Sequence, residues 1–199
     1  MSGIMRYLTH PQVAIDPAAP VSLWSLSKTG IERTLSIAAS ENLKATTQIV
    51  SSCETKATET AEIISKVLGI EFLEREGMHE NDRTATGYLP AAEFEAMADL
   101  FFAHPERSIR GWERAIDAKT RIVAETMTVL DDHDLGDILL VGHGAVGTLL
   151  YTHFADKPID RKFDQPSGGG NYFTVDLETL KAVHHWRPME TLLVDNSYE

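Results

Sequence analysis

The chain has 199 residues, enough for one well-buried core and short for two, so a single domain with an insertion at about residues 74–110 is expected. Eighteen Lys and Arg against thirty Asp and Glu leave a formal charge of −12, which excludes nucleic acid and anionic membrane as expected partners and demands a local cluster of cations for any anionic substrate. The single cysteine, Cys53, rules out an intramolecular disulfide framework, and no apolar run approaches the roughly 20 residues of a membrane span; without a basic and apolar leader, a cytoplasmic protein is the expectation.

In chain order, Ile4 to Leu8 reads as a buried strand, Ser27 to Ala39 as a helix and Gln48 to Ser51 as a short strand. Thr55 to Leu68 reads as a helix with Ala57, Ala61, Ile64 and Leu68 on one face and Gly69 as its C-terminal cap. Glu74 to Pro90 has no convincing period, is polar and carries Gly77, Gly87 and Pro90, so it reads as a loop over the site. Two helices follow, one through Phe94, Met97, Ala98 and Phe101 that stops before Pro105, the other through Ile116, Val123, Met127 and Leu130. Ile138 to Val141 shows no polar alternation and reads as a buried parallel strand. Val146, Leu149 and Leu150 mark a helix, and Tyr172 to Val175 and Ala182 to Trp186 are expected as final strands. Such alternation predicts an α/β three-layer sandwich: a mostly parallel central sheet, helices on both faces, and a short inserted segment over the site.

Two apolar strands run into histidines, His10 and His143. In open α/β sheets ligands bind beyond the carboxyl ends of the strands, so the two rings are expected to share one cleft. Gly144 and the helix after it would present unpaired N–H groups that attract an anion. Taken singly, a histidine of this kind is more often a packed or exposed residue than a catalyst; the paired placement is what suggests chemistry.

Tyr7-Leu8-Thr9-His10-Pro11, Trp24 to Gly30, Ser51-Ser52 with Lys56-Ala57 and Thr60-Ala61, and Val141-Gly142-His143-Gly144 together resemble the histidine phosphatase superfamily, which includes the phosphoglycerate mutases. The resemblance implies a phosphohistidine formed on His10, with His143 as the second catalytic histidine and Glu80 as the carboxylate of the inserted segment. It implies a phosphate site at Thr9, Asp16, Lys56 and Gly144, with no metal and no cofactor. Three positions differ from the family pattern: Thr9 and Lys56 stand where arginines are expected, and Pro11 where glycine is. Lysine cannot reproduce the bidentate guanidinium fork, and threonine adds no charge. Arg83, three residues beyond Glu80, is the expected replacement cation, with a surface ion pair as the plain alternative.

The remaining features carry less. His79, Glu80 and Asp82 lack the spacing of a helical metal motif, His184 and His185 are expected to point to opposite faces of a strand, and Cys53 reads as a small buried hydrophobe. Gly168 to Gly170 lacks the lysine of a phosphate-binding loop and reads as a turn near the pocket. The expected function is therefore hydrolysis of a small phosphorylated metabolite or a phosphohistidine. The alternatives are a mutase, or a noncatalytic anion-binding module that keeps the fold.

Overall fold

Central strands buried on both faces, their side chains entering two cores in turn, set the layers. The computed structural model describes residues 3–194. Strand β1 (Ile4–Thr9) sends Met5 and Tyr7 into one core and Leu8 into the other. Its neighbour β4 (Asp137–Gly142) likewise divides Ile138 and Leu140 from Leu139 and Val141, and β2 (Thr46–Ser52) divides Val50 from Ile49. Apolar side chains on both faces require a cover on both, which helices supply. Helices α1 (Lys28–Ala38) and α2 (Thr55–Leu68) close one face through Ile37, Ala57, Ala61 and Ile64. The other is closed by α3 (Ala91–Ala103), α4 (Ala115–Asp131) and α5 (Gly144–Phe154), through Phe101, Ile122, Val146 and Leu150 among others.

The sheet order is β3-β2-β4-β1-β5-β6, with β7 also pairing β5. Strands β1, β4, β2 and β3 (Phe72–Arg75) are parallel, and β5 (Asn171–Asp176) runs against β1 and against the short β6 (Lys181–Ala182) and β7 (Arg187–Pro188). The result is the mostly parallel three-layer sandwich the sequence predicts. No helix among the described residues is long and apolar enough to cross a membrane.

Helix signals read from sequence hold closely. Ser27 caps α1, its hydroxyl accepting from Gly30 N–H at 3.1 Å, and Gly69 ends α2 in the left-handed region at φ 70°. Two expectations are corrected. The polar stretch from Glu74 begins inside β3 and continues as a 3-10 turn, Glu76–Met78; in this short edge strand only Phe72 packs against a core, which leaves no apolar alternation to read. Ala182 to Trp186 is not one strand but a bend between β6 and β7, in which the His184 ring bonds Thr174 Oγ1 at 2.9 Å and the His185 carbonyl at 2.7 Å. The two rings still diverge, His184 against Tyr172 and His185 against Tyr151.

Candidate active site

Parallel register delivers three side chains to one place. Thr9 pairs with Gly142 at the ends of β1 and β4, and the chain holds that register one step further through His10 N–H to Gly142 C=O at 3.0 Å. His10 and His143 therefore leave adjacent strands together, with ring centroids 5.3 Å apart at an interplanar angle of 66°. Ser52, at the end of β2 on the far side of β4, meets His143 Nε2 at 2.8 Å. The phenol of Tyr7 clamps the second histidine's backbone, accepting from His143 N–H at 3.0 Å and donating to its C=O at 3.1 Å.

The two rings are not equivalent. His10 lines a cavity of about 600 Å³, and its Nδ1 lies 2.9 Å from the Pro11 carbonyl. A carbonyl only accepts, so the proton sits on Nδ1 and Nε2 is left as a neutral lone pair. Burial, reinforced by the Lys56 ammonium, lowers the His10 pKa to about 4 against the pull of the Pro11 hydrogen bond and of Glu54. His143 is wholly enclosed and does not line the cavity; burial lowers it to about 3, opposed by Glu54 and Glu80. Its Nε2 is engaged by Ser52 and its Nδ1 has no hydrogen-bond partner among the described residues. The expected shared cleft thus holds only His10, with His143 edge-on behind it.

Lys56, in the first turn of α2, is 3% exposed and lines the cavity. Its ammonium donates to Val21 C=O at 2.9 Å and forms a tight ion pair with Glu54. Glu54 went unnoticed in the sequence, where one more acid before a helix carries no signal, yet it sits between Lys56 and His143, its Oε1 3.6 Å from the His143 Nε2. Burial works against its ionisation, but His143 and Lys56 win and hold its carboxyl at about 2. With His143 neutral near pH 7, Lys56 carries that attraction there. The lysine that the sequence offers as a phosphate cation is neutralised by its own neighbour.

Glu80 and Arg83 come from the segment after the 3-10 turn and both line the cavity. Arg121 of α4 pins that segment by donating to the carbonyls of Gly77 and His79, each at 2.9 Å, while pairing with Glu113 at 2.7 Å. The Glu80 carboxylate accepts from Val146 N–H at 3.0 Å and Ala145 N–H at 3.3 Å, so it occupies two of the donors at the start of α5 that were expected to face the substrate. Gly144 N–H remains. Arg83 lies over the rings of Phe94 and Trp112, 5.0 and 5.7 Å from their centroids, a stacked cation rather than a surface pair.

Two expected phosphate ligands lie elsewhere. The Asp16 carboxylate is exposed, does not line the cavity, and closes its own turn by accepting from Ala18 N–H at 2.9 Å. Thr9 is fully buried, and its hydroxyl is engaged by Gln165 Oε1 at 2.7 Å and by Asn171 N–H at 3.0 Å. The glycine run does reach the site. Gly169, at φ 66°, packs so closely on the His10 carbonyl that an added Cβ would collide with it, and Gly170 N–H donates to that carbonyl at 3.0 Å.

The family model described as Histidine phosphatase superfamily (branch 1) matches residues 24–184, a span that begins after His10 and its divergent neighbours. No curated protein gives a significant match. Similar solved structures include a mycobacterial glucosyl-3-phosphoglycerate phosphatase, with a TM-score of 0.74 at 17% identity over 92% of this chain and 95% of that one. Bacillus stearothermophilus YhfR gives a TM-score of 0.73 at 21% identity over 92% and 95% of the two chains. A putative alpha-ribazole-5'-P phosphatase from Escherichia coli gives 0.71 at 15% identity over 95% and 98%.

Proposed function

Because the chain belongs to the histidine phosphatase superfamily, we propose that it hydrolyses a small phosphate monoester through a phosphohistidine on His10, without a metal ion. The observation that carries this reading is the Nδ1 contact of His10 with the Pro11 carbonyl, which leaves a neutral Nε2 in the cavity. That nitrogen attacks phosphorus, the N–P bond forms as the P–O bond to the alcohol breaks, and the departing oxygen takes a proton from the Glu80 carboxyl. Water then attacks the phosphohistidine, Glu80 accepts its proton, and inorganic phosphate leaves with His10 restored. Arg83 supplies the permanent cation for the equatorial oxygens, helped by the remaining N–H of Lys56 and by Gly144 N–H. His143, enclosed and edge-on to His10, fixes the nucleophile's ring rather than touching the phosphate.

The rest of the cavity describes the alcohol. Val13, Trp24, Tyr88, Leu89, Phe94 and Trp112 line it, and apolar and aromatic walls favour an aromatic or aliphatic leaving group over a sugar. One observation favours the noncatalytic module: Lys56 is already paired with Glu54, and the Glu80 oxygens already accept from the Ala145 and Val146 N–H groups.

Steady-state hydrolysis separates the two. Phenyl and long-chain alkyl phosphates are expected to be turned over at undiminished rate in EDTA. Glu80→Gln should slow the alkyl ester by at least about a hundredfold, in line with general-acid catalysis, and a nitrophenyl ester far less, because its leaving group needs little protonation. Equal slowing of both esters would remove Glu80 as the proton donor, and no turnover of any ester would favour the module.

A further inference from the structure

The site lacks the guanidinium that the family pattern places beside the nucleophile, and the residue there, Thr9, faces protein rather than the cavity. Its partner does face the cavity. Gln165 lines it, half-buried, in the segment between α5 and β5.

The orientation of the Gln165 amide is fixed by logic rather than by choice. Asn171 donates Nδ2–H to the Pro166 carbonyl at 3.0 Å, and since a carbonyl only accepts, that atom of Asn171 must be nitrogen. The same Nδ2 lies 3.1 Å from Gln165, so the Gln165 atom facing it must be the acceptor Oε1. The Thr9 hydroxyl approaches the same oxygen at 2.7 Å while accepting from Asn171 N–H, which directs its own proton outward, to Gln165 or to the Asn171 carbonyl. With Oε1 held from two sides, Nε2 must turn the other way. It lies over the first residue of α5, where a Cβ added to Gly144 would run into it, and it has no acceptor among the described residues. A donor pair is therefore held open over the Cα of Gly144, in the cavity that His10 lines.

We propose that the Gln165 side-chain amide is a phosphate-binding donor that stands in for the missing guanidinium, with Thr9 and Asn171 as positioning residues that keep its Nε2 aimed at the substrate. The inference rests on the phosphatase reading above. Thr9 then belongs to a different solution of the same problem: a small hydroxyl leaves room for a longer neutral donor from another segment. A neutral amide brings hydrogen bonds without charge, so the site holds the phosphoryl group by direction as much as by attraction.

Inorganic phosphate or orthovanadate binding to the full chain, followed together with phenyl phosphate hydrolysis, tests it. In wild type, the Gln165 side-chain NH₂ resonances are expected to move on titration with orthovanadate. Gln165→Leu should raise the inhibition constant for orthovanadate by about tenfold or more, as for loss of one hydrogen bond to a charged group. Thr9→Val and Asn171→Leu should weaken it less, and in both the Gln165 NH₂ resonances should move toward the positions of a solvent-exposed glutamine amide and shift less on titration with orthovanadate. Unmoved NH₂ resonances in a wild-type enzyme that binds orthovanadate and turns over phenyl phosphate would overturn the Gln165 inference alone, whether or not the variants fold. A Gln165→Leu enzyme with wild-type inhibition would do the same. Wild type that neither binds nor hydrolyses would overturn this inference and the phosphatase reading together.

Discussion

Two cations, Lys56 and Arg83, act on the His10 ring, and their neighbours decide what each is worth to a phosphate. Lys56 is closed off by Glu54, a buried pair whose mutual attraction is offset by the cost of taking both charges out of water. Arg83 has aromatic rings below it and no carboxylate in salt-bridge contact among the described residues, so its guanidinium stays available to a ligand. Opposite effects follow for the affinity of inorganic phosphate. Arg83→Ala should weaken it by about tenfold or more, the loss expected for a charged hydrogen bond. Glu54→Gln should tighten it, because it removes a negative charge and frees Lys56, while lowering the melting temperature because a buried ion pair is broken. Calorimetric titration of the two variants measures both signs; a Glu54→Gln protein with weakened phosphate binding would show that Glu54 serves the site in another way.

Elements rather than residues bring the chemistry together, and they differ in how plainly the sequence announces them. Helix α2 was readable to the residue, Thr55 to Leu68 with Gly69 as cap, because its apolar stripe and its stop signal are both local. Strands β1 and β4 were readable as unbroken apolar runs, and with them the placement of His10 and His143 at neighbouring strand ends. Strand β3 was not, since four residues with only Phe72 packed against a core are too few to show a period. The same distinction holds in the site. Glu80 and Arg83 stood out through spacing and resemblance, whereas Gln165 meets Thr9 across 156 residues of chain, and Glu54 matters only because β2 and α2 turn it toward His143. Nothing local marks either. Asp16 was misplaced for the complementary reason: an Asx turn is a local use of the side chain that resemblance alone does not reveal. The glycine run is an element on whose form the placement of His10 depends. Gly169→Ala should cost about 1–3 kcal/mol of stability from its positive φ and its contact with the His10 carbonyl, and reduce kcat as well. Thermal denaturation with steady-state kinetics checks it; an unchanged melting temperature would remove the packing argument.

At the scale of the whole molecule, the two histidines couple the site to stability. Both are held neutral in the fold, His10 to about 4 and His143 to about 3, against 6.5 for an ordinary histidine. Above 6.5 neither state binds the extra proton and pH has no leverage through them. Below 6.5 the unfolded chain takes up protons that the native site refuses, so stability is lost as pH falls, progressively to about 4 and then 3. Glu54, held at about 2 against an ordinary 4.5, adds a further loss below 4.5, because acid removes the carboxylate that the fold favours. Denaturant titrations from pH 7 to 4 should show stability falling by about 1.4 kcal/mol per pH unit for each of these two histidines while it is protonated in the unfolded chain and neutral in the fold, and His143→Asn should flatten that slope. A slope unchanged in His143→Asn would show that the enclosed ring takes its proton in the native state.

The proposed turnover rests on one atom, the Nε2 of His10, accepting a phosphoryl group. Rapid acid-free quenching during turnover of a phosphate monoester, followed by peptide mapping under alkaline conditions that preserve phosphohistidine, measures this most directly. The predicted result is a phosphorylated peptide carrying His10 that is lost on brief acid treatment, absent in His10→Ala, and formed equally in EDTA. A phosphoryl group found on any other residue, or a His10→Ala protein that hydrolyses the ester at the wild-type rate, would contradict it.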